Sequence, residues 1–243
     1  MKRTYSIPLT LVLLLGCWAA AIAQNPYKTT WKRELAWMGG SSIGVGSAAL
    51  LHIHNQPFTA EQVAALNLSQ VPRFERFVTR QYSLSARHSS DVLLFTSVAS
   101  PMLLLLDKNI RQDAPTAALL VGESMWLNLA LTSLCKEIVR RPRPFCYNPD
   151  APLSEKLKRD ARASFFSGHT SMSAAATFSA AQIWSDYHPD SKWKPAVWAA
   201  AVALPATVGL LRVKGGKHYL TDVATGFIVG SACGLLIPRL HRK

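Results

Sequence analysis

The chain has 243 residues, 49% of them apolar and 17% charged, with a formal net charge of +13. That length suits one domain of ordinary size, and the apolar content can fill a large core. The positive charge calls for anionic partners, but the basic residues gather near 136–162 and 212–217, without a basic tail or a DNA- or RNA-binding motif, which argues against nucleic acid.

The first stretch reads as an export leader. Met1-Lys2-Arg3 is a basic start, Ile7–Ala20 an apolar run, and Ala21-Ile22-Ala23 before Gln24 a signal-peptidase site. A competing reading takes Leu14-Leu15-Gly16-Cys17 as a lipoprotein box, which would place Trp18 just after the lipidated cysteine. Removal of 1–23 loses Lys2 and Arg3 and no acid, taking the charge from +13 to +11. The expected organisation is a signal peptide over 1–23 and one helical domain over 24–243.

Apolar segments follow at about 34–52, 89–106, 114–135, 169–185, 195–211 and 219–238. Each approaches the ~20 residues that cross a bilayer, yet most carry Ser, Gly, Asp, Glu or Asn, as Glu123 and Asn128 interrupt the third. Six full crossings after a cleaved leader would return the 136–166 and 212–218 loops to the cytoplasm. Either some segments do not span, or the chain is an exported bundle resting on a membrane, and the second reading is preferred.

Two long connections separate these segments. In 54–88, Thr59-Ala-Glu61-Gln62 is a capped helix start. Phe74, Phe77 and Tyr82 offer either a membrane-facing apolar patch or part of a solvated surface helix. The basic stretch 144–166 is a candidate lid. No repeat and no alternating pattern long enough for a sheet is present, so the fold class is all-α: about six core helices with the site at one end. Cys135 and Cys146 either pair in an oxidising compartment or remain buried thiols, and Cys233 reads as a small core residue. His52-x-His54 lacks a third metal ligand, and His88 and His188 are expected to face solvent.

Three polar clusters interrupt the apolar pattern. Lys136 ends the third segment, and Arg143 follows, held between Pro142 and Pro144; a mobile ammonium and a two-pronged guanidinium together suit an oxyanion. Ser167-Gly168-His169 opens the fourth segment, where a helix start aims free N–H groups and a hydroxyl at an anion with an imidazole alongside. Arg212, His218 and Asp222 form the third; the four-residue spacing allows the carboxylate to hold one ring nitrogen and free the other for attack. Each cluster alone has a bland reading: a helix C-terminus capped by cations, a common helix start, a satisfied core histidine.

In order and at these spacings, the clusters resemble the signature of the type 2 phosphatidic acid phosphatase and vanadium haloperoxidase superfamily: K-x6-R-P, then P-S-G-H, then S-R-x5-H-x3-D. Phe166 stands where the family has proline, and Leu211 where it has serine. The resemblance covers about 115–238. It implies a hydrolase in which Lys136, Arg143, Ser167, Gly168 and Arg212 bind phosphate. His218 would attack phosphorus to form a phosphohistidine, oriented by Asp222, and His169 would protonate the leaving oxygen. It implies no metal and no cofactor, since the cations take a metal's electrostatic part.

The same residues hold vanadate in the haloperoxidases, and vanadate would be the cofactor only under that reading. The expected activity is that of an exported acid-type phosphatase that hydrolyses phosphomonoesters or pyrophosphates of lipids, because the chain is basic and apolar, with a soluble non-specific periplasmic acid phosphatase as the alternative. The expected partners are that substrate and a membrane, with a periplasmic, membrane-associated or integral location. A non-enzymatic anion-binding protein would have no use for the paired imidazoles and carboxylate.

Overall fold

The computed structural model describes residues 25–243, so the leader read at 1–23 lies outside the described residues. Among them the chain is helical, with one isolated bridge between Tyr27 and Arg242 and no longer strand pairing. In chain order the α-helices are α1 (Trp31–His54), α2 (Ala60–Ala64), α3 (Leu84–Ala99), α4 (Lys108–Gln112), α5 (Ala114–Val139), α6 (Leu153–Lys156), α7 (Gly168–Tyr187), α8 (Lys194–Lys214) and α9 (Leu220–Leu240). The six expected segments become α1, α3 with a 3-10 extension through Leu106, α5, α7, α8 and α9. Their ends lie within about five residues of those read from apolar periodicity.

Local chemistry sets the boundaries. Ser83 accepts the Ala86 amide at 3.2 Å to open α3, and Asp107 accepts those of Asn109 and Ile110 to open α4. Thr59 and Gln62 form the expected reciprocal capping box at α2. At the far end of α5, Arg140 turns left-handed (φ 51°), and Pro142 and Pro144 prevent resumption of the helix. The 54–88 connection departs from the single surface face considered above. Phe74 and Phe77 are exposed on a 3-10 stretch, whereas the Tyr82 hydroxyl turns inward to donate to Glu155 at 2.6 Å.

α7 is the central helix, and most of its side chains are buried alanines, serines and threonines. α9, α8, α5 and α3 all pack against it, and α1 covers α5. Small residues bring α9 onto α7 almost backbone to backbone. A Cβ at Gly226, Gly230 or Gly234 would meet the carbonyl oxygen of Ser167, Ser171 or Ala175 at 2.6, 2.0 or 2.7 Å. Glycine every four residues along one face permits this approach.

The outer faces are apolar. Ile43 on α1, Phe95 on α3, Ile138 on α5, Leu210 on α8 and Ile228 on α9 are each more than 60% exposed. Among the described residues, four stretches are long and apolar enough to cross a membrane: Leu84–Leu106, Ala114–Tyr147, Lys194–Lys214 and Leu220–Leu240. Glu123 and Asn128, which interrupted the third segment, are buried inside the bundle rather than turned outward. Cys135, Cys146 and Cys233 are all free thiols, and Cys146 donates to the Ala161 carbonyl.

Candidate active site

The three clusters meet at one end of the bundle, around a cavity of about 510 Å³. α5 ends there with Lys136, the turn after it supplies Arg143, and α7 starts there with Gly168 and His169. α8 ends there with Arg212, followed by His218 before α9 begins. Arg87 from α3 and Lys217 from the α8–α9 turn complete the cationic wall. Five cations thus face two lining carboxylates, Asp91 and Asp160, an imbalance that favours an anion.

The guanidinium groups are held before any anion arrives. Arg143 donates from Nη2 to Asp160 Oδ1 at 2.6 Å, from Nε to the Asp160 carbonyl at 2.8 Å, and from Nη1 to the Lys217 carbonyl at 2.8 Å. Arg212 donates to Ser90 and Asp91, both at 3.2 Å. Its buried Nε, and the buried Nη2 of Arg87, have no hydrogen-bond acceptor among the described residues. Buried donors without acceptors are rare in folded chains, and both belong to residues that line the cavity. Lys136 Nζ donates to the Ala163 carbonyl at 2.6 Å.

His218 is buried, and its Nδ1 donates to the Ser164 carbonyl at 2.7 Å. That bond leaves the Nε2 lone pair facing the cations, where it accepts from Arg143 Nη1 at 2.9 Å. Burial, then the charges of Arg143, Lys136 and Arg212, push its pKa well below the usual histidine value, so the ring is neutral.

Asp222 does not hold the ring in the way its spacing suggests. Its Oδ2 lies 3.7 Å from His218 Nδ1, beyond hydrogen-bond range. His218 precedes α9, so the two residues are not stacked on a helical face. The carboxylate instead turns back to cap α9 through the Tyr219 amide (2.9 Å), accepts the Ser164 hydroxyl (2.5 Å) and pairs with Arg141 (2.6 Å). It therefore reaches His218 through Ser164, whose carbonyl accepts from Nδ1. Arg141 also pairs with buried Glu75 at 2.7 Å and lies over the Tyr219 ring at 4.0 Å. Glu75 in turn accepts the Thr221 amide and hydroxyl.

Ser167 and Asp222 sit behind the cavity wall, both fully buried. The Ser167 hydroxyl is 2.9 Å from that of Thr170 and accepts the Thr170 amide at 3.4 Å, the cap expected for a helix start. Phe166, in the position of the family's proline, is buried and leaves this cap intact. His169 lines the cavity with Nε2 2.8 Å from Asp91 Oδ1. Burial and the nearby Arg212 lower its pKa to about 4, against the upward pull of Asp91.

The 144–166 connection forms a wall of the site. Glu155 binds Arg87, Lys217 and Tyr82, and these partners outweigh burial to hold its carboxyl at about pKa 2. Arg87, Lys217, Asp91, Asp160, Ser164, Arg141 and Glu75 were not singled out from the sequence. Lys217 and Arg141 lie inside the polar clusters, and Asp91 is a lone acid entering an apolar run. The other histidines lie elsewhere: His52 contacts Glu137, His54 its own helix, and His88 faces solvent. His188, expected to face solvent, is half-buried, 3.0 Å from Asp107 and stacked on Trp184.

An all-helical bundle with a cation-walled cavity and two imidazoles defines a class of anion-handling site. The PAP2 superfamily model matches residues 117–243, and the chain belongs to that superfamily. It is similar to a probable diacylglycerol pyrophosphate phosphatase 1 of Schizosaccharomyces pombe, 32% identical over 130 residues, covering 44% of this chain and 47% of the relative. It is also similar to phospholipid phosphatase 1 of Rattus norvegicus, 33% identical over 88 residues, covering 35% and 31%. The chain thus spans less than half the length of these curated relatives. A solved structure, a transmembrane PAP2-type phosphatidylglycerolphosphate phosphatase from Bacillus subtilis, aligns over 96% of this chain and 94% of its own with 24% identity and a TM-score of 0.46.

Proposed function

We propose that the chain is a phosphatase that hydrolyses phosphomonoesters or pyrophosphates of lipids through a phosphohistidine intermediate. The observation that carries this reading is the neutral, buried His218 with its Nε2 lone pair aimed into a cavity walled by five cations. Such a wall stabilises the charge spread over a phosphoryl group's equatorial oxygens, and no metal is invoked.

In this mechanism His218 Nε2 exchanges its contact with Arg143 for phosphorus. The N–P bond forms as the bond to the leaving oxygen breaks, and His169 gives that oxygen its proton. His169 then takes a proton from water, whose oxygen attacks phosphorus. The N–P bond breaks, releasing phosphate and regenerating neutral His218.

A lipid substrate is supported by the apolar outer faces of the bundle, which suit contact with a bilayer. The proposed location is within the membrane, in place of the surface-resting bundle preferred from the sequence. Export and a periplasmic placement rest on the leader alone. The test is phosphate release by detergent-purified protein from micellar lipid phosphates and pyrophosphates and from short soluble phosphomonoesters. Release from lipids by a wide margin is expected. Equal or faster release from soluble esters would make the enzyme a non-specific acid phosphatase, and vanadate-dependent halide oxidation would make it a haloperoxidase.

A pH dependence follows from His169, which must be protonated to serve as the acid. Its pKa of about 4 is raised when a phosphate dianion occupies the cavity, and Asp91 adds to that rise. Asp91→Asn removes one influence favouring the imidazolium. The alkaline limb of the kcat profile is expected to move to lower pH by about one unit, with activity recovered on acidification. An unchanged profile would separate Asp91 from the proton transfer.

A further inference from the structure

At the end of the bundle farthest from the cavity, three side chains with no part in the proposed chemistry converge. Glu34 in the first turn of α1, Glu123 in the third turn of α5 and His241 just beyond α9 each offer one ligand atom, all within 4.8 Å of one another. His241 Nε2 is 2.7 Å from Glu34 Oε2 and 3.5 Å from Glu123 Oε2. Nδ1 of the same ring donates to the Ile237 carbonyl at 2.7 Å. This bond to the backbone fixes one proton on Nδ1 and turns Nε2 towards the carboxylates, as is usual for metal-ligating histidines.

His241 and Glu123 are 0% and 1% exposed, and neither carboxylate oxygen of Glu123 has a hydrogen-bond donor among the described residues. The Glu34 carboxylate is better served. Its Oε1 accepts the Thr30 amide at 2.6 Å, and Arg33 Nε lies 3.7 Å from that atom, on the side away from His241. The Arg33 terminal nitrogens are engaged with the carbonyls of Leu240 and Lys28. Glu123 is thus a buried carboxylate aimed at an imidazole already claimed by another carboxylate, an arrangement that folded chains avoid unless a cation completes it.

We propose that Glu34, Glu123 and His241 bind a divalent transition-metal ion that ties the start of α1 and the end of α9 to α5. Two carboxylates and a neutral imidazole balance a 2+ charge. One nitrogen among oxygen donors suits zinc, manganese or ferrous iron better than calcium or magnesium, which take oxygen throughout. Zinc fits such a set, with three protein ligands and the fourth position open to water. Bonds of ~2.0 Å at tetrahedral angles separate ligands by about 3.3 Å, close to the Glu123–His241 distance. The Glu34–His241 contact would open by roughly half an ångström to admit the ion.

The test uses untagged full-length protein in detergent, stripped with chelator, loaded with zinc and passed through gel filtration. Stoichiometric retained zinc and a higher melting temperature are expected for the wild type, with both effects lost in Glu123→Gln and in His241→Gln. Wild-type protein that retains no zinc would overturn the proposal, as would variants that retain as much as the wild type. Should the variants fail to fold, cobalt-loaded wild type decides. The visible absorption of a four- or five-coordinate nitrogen–oxygen site, bleached by zinc, supports the proposal, and its absence sinks it. These readouts are independent of catalysis, which lies about 30 Å away by the length of α9.

Discussion

His218→Ala is expected to lower phosphate release by about four orders of magnitude or more, with the folded state retained. A covalent intermediate needs an unprotonated nucleophile that can reach phosphorus in line with the leaving group. Only the His218 Nε2 lone pair meets that description among the groups lining the cavity. The lining guanidinium groups are charged donors, Lys136 is engaged with the Ala163 carbonyl, Asp91 and Asp160 are occupied by Arg212 and Arg143, and His169 is engaged with Asp91. The cationic wall remains in this variant, so binding of phosphate or vanadate should persist while turnover vanishes. Rapid quench with labelled substrate should trap an acid-labile phosphoenzyme in the wild type and none in the variant. Near-normal turnover by His218→Ala would overturn the mechanism.

Gly230→Ala should be the most damaging single-methyl change in the bundle. A Cβ there would lie 2.0 Å from the Ser171 carbonyl oxygen and 2.7 Å from its carbon, distances that no rotamer relieves because both atoms are backbone. α9 must therefore move off α7. Overpacking of this kind costs about 3 kcal/mol, or roughly 6–12 °C in melting temperature for a chain of this size. The shift would also pull Asp222 from the Ser167 amide, which donates to the Asp222 carbonyl at 2.9 Å, so activity should fall with stability. Gly122→Ala is the control. Nothing lies within 4 Å of that Cβ, and helix-interior alanine should leave the melting temperature unchanged or slightly raised. Equal behaviour of the two variants would mean that α7 and α9 are not in backbone contact.

The helices were legible because apolar residues recur along each, with Pro142 and Pro144 following α5. The meeting of Lys136, Arg143, Gly168, His169, Arg212 and His218 was legible because their spacings form a signature. The support around them was not. Arg87, Glu75 and Asp160 come from connections and a helix start with no periodicity or motif to distinguish them from solvated charges. They reach the site only through long-range packing, as when Arg141 joins Glu75 to Asp222 across the chain. The direct contact expected between Asp222 and the His218 ring is absent for a local reason. Four-residue spacing implies a shared face only when both residues lie in the helix, and α9 starts after His218. Tyr82 was grouped with Phe74 and Phe77 by its ring, but its hydroxyl found Glu155. The metal ligands were invisible as a set, since Glu34, Glu123 and His241 come from three distant segments.

The bridge between Tyr27 and Arg242 has a consequence for how the molecule can be extended. Lys28 donates to the His241 carbonyl at 2.8 Å, and Lys243 to the Pro26 carbonyl at 3.0 Å, so the two ends of the described chain clasp each other. The molecule is nearly a closed loop whose clasp lies on the floor of the bundle, while the cavity opens at the roof. A tag fused after Lys243 would therefore start at the end of the bundle opposite the mouth and leave the approach of an anion unobstructed.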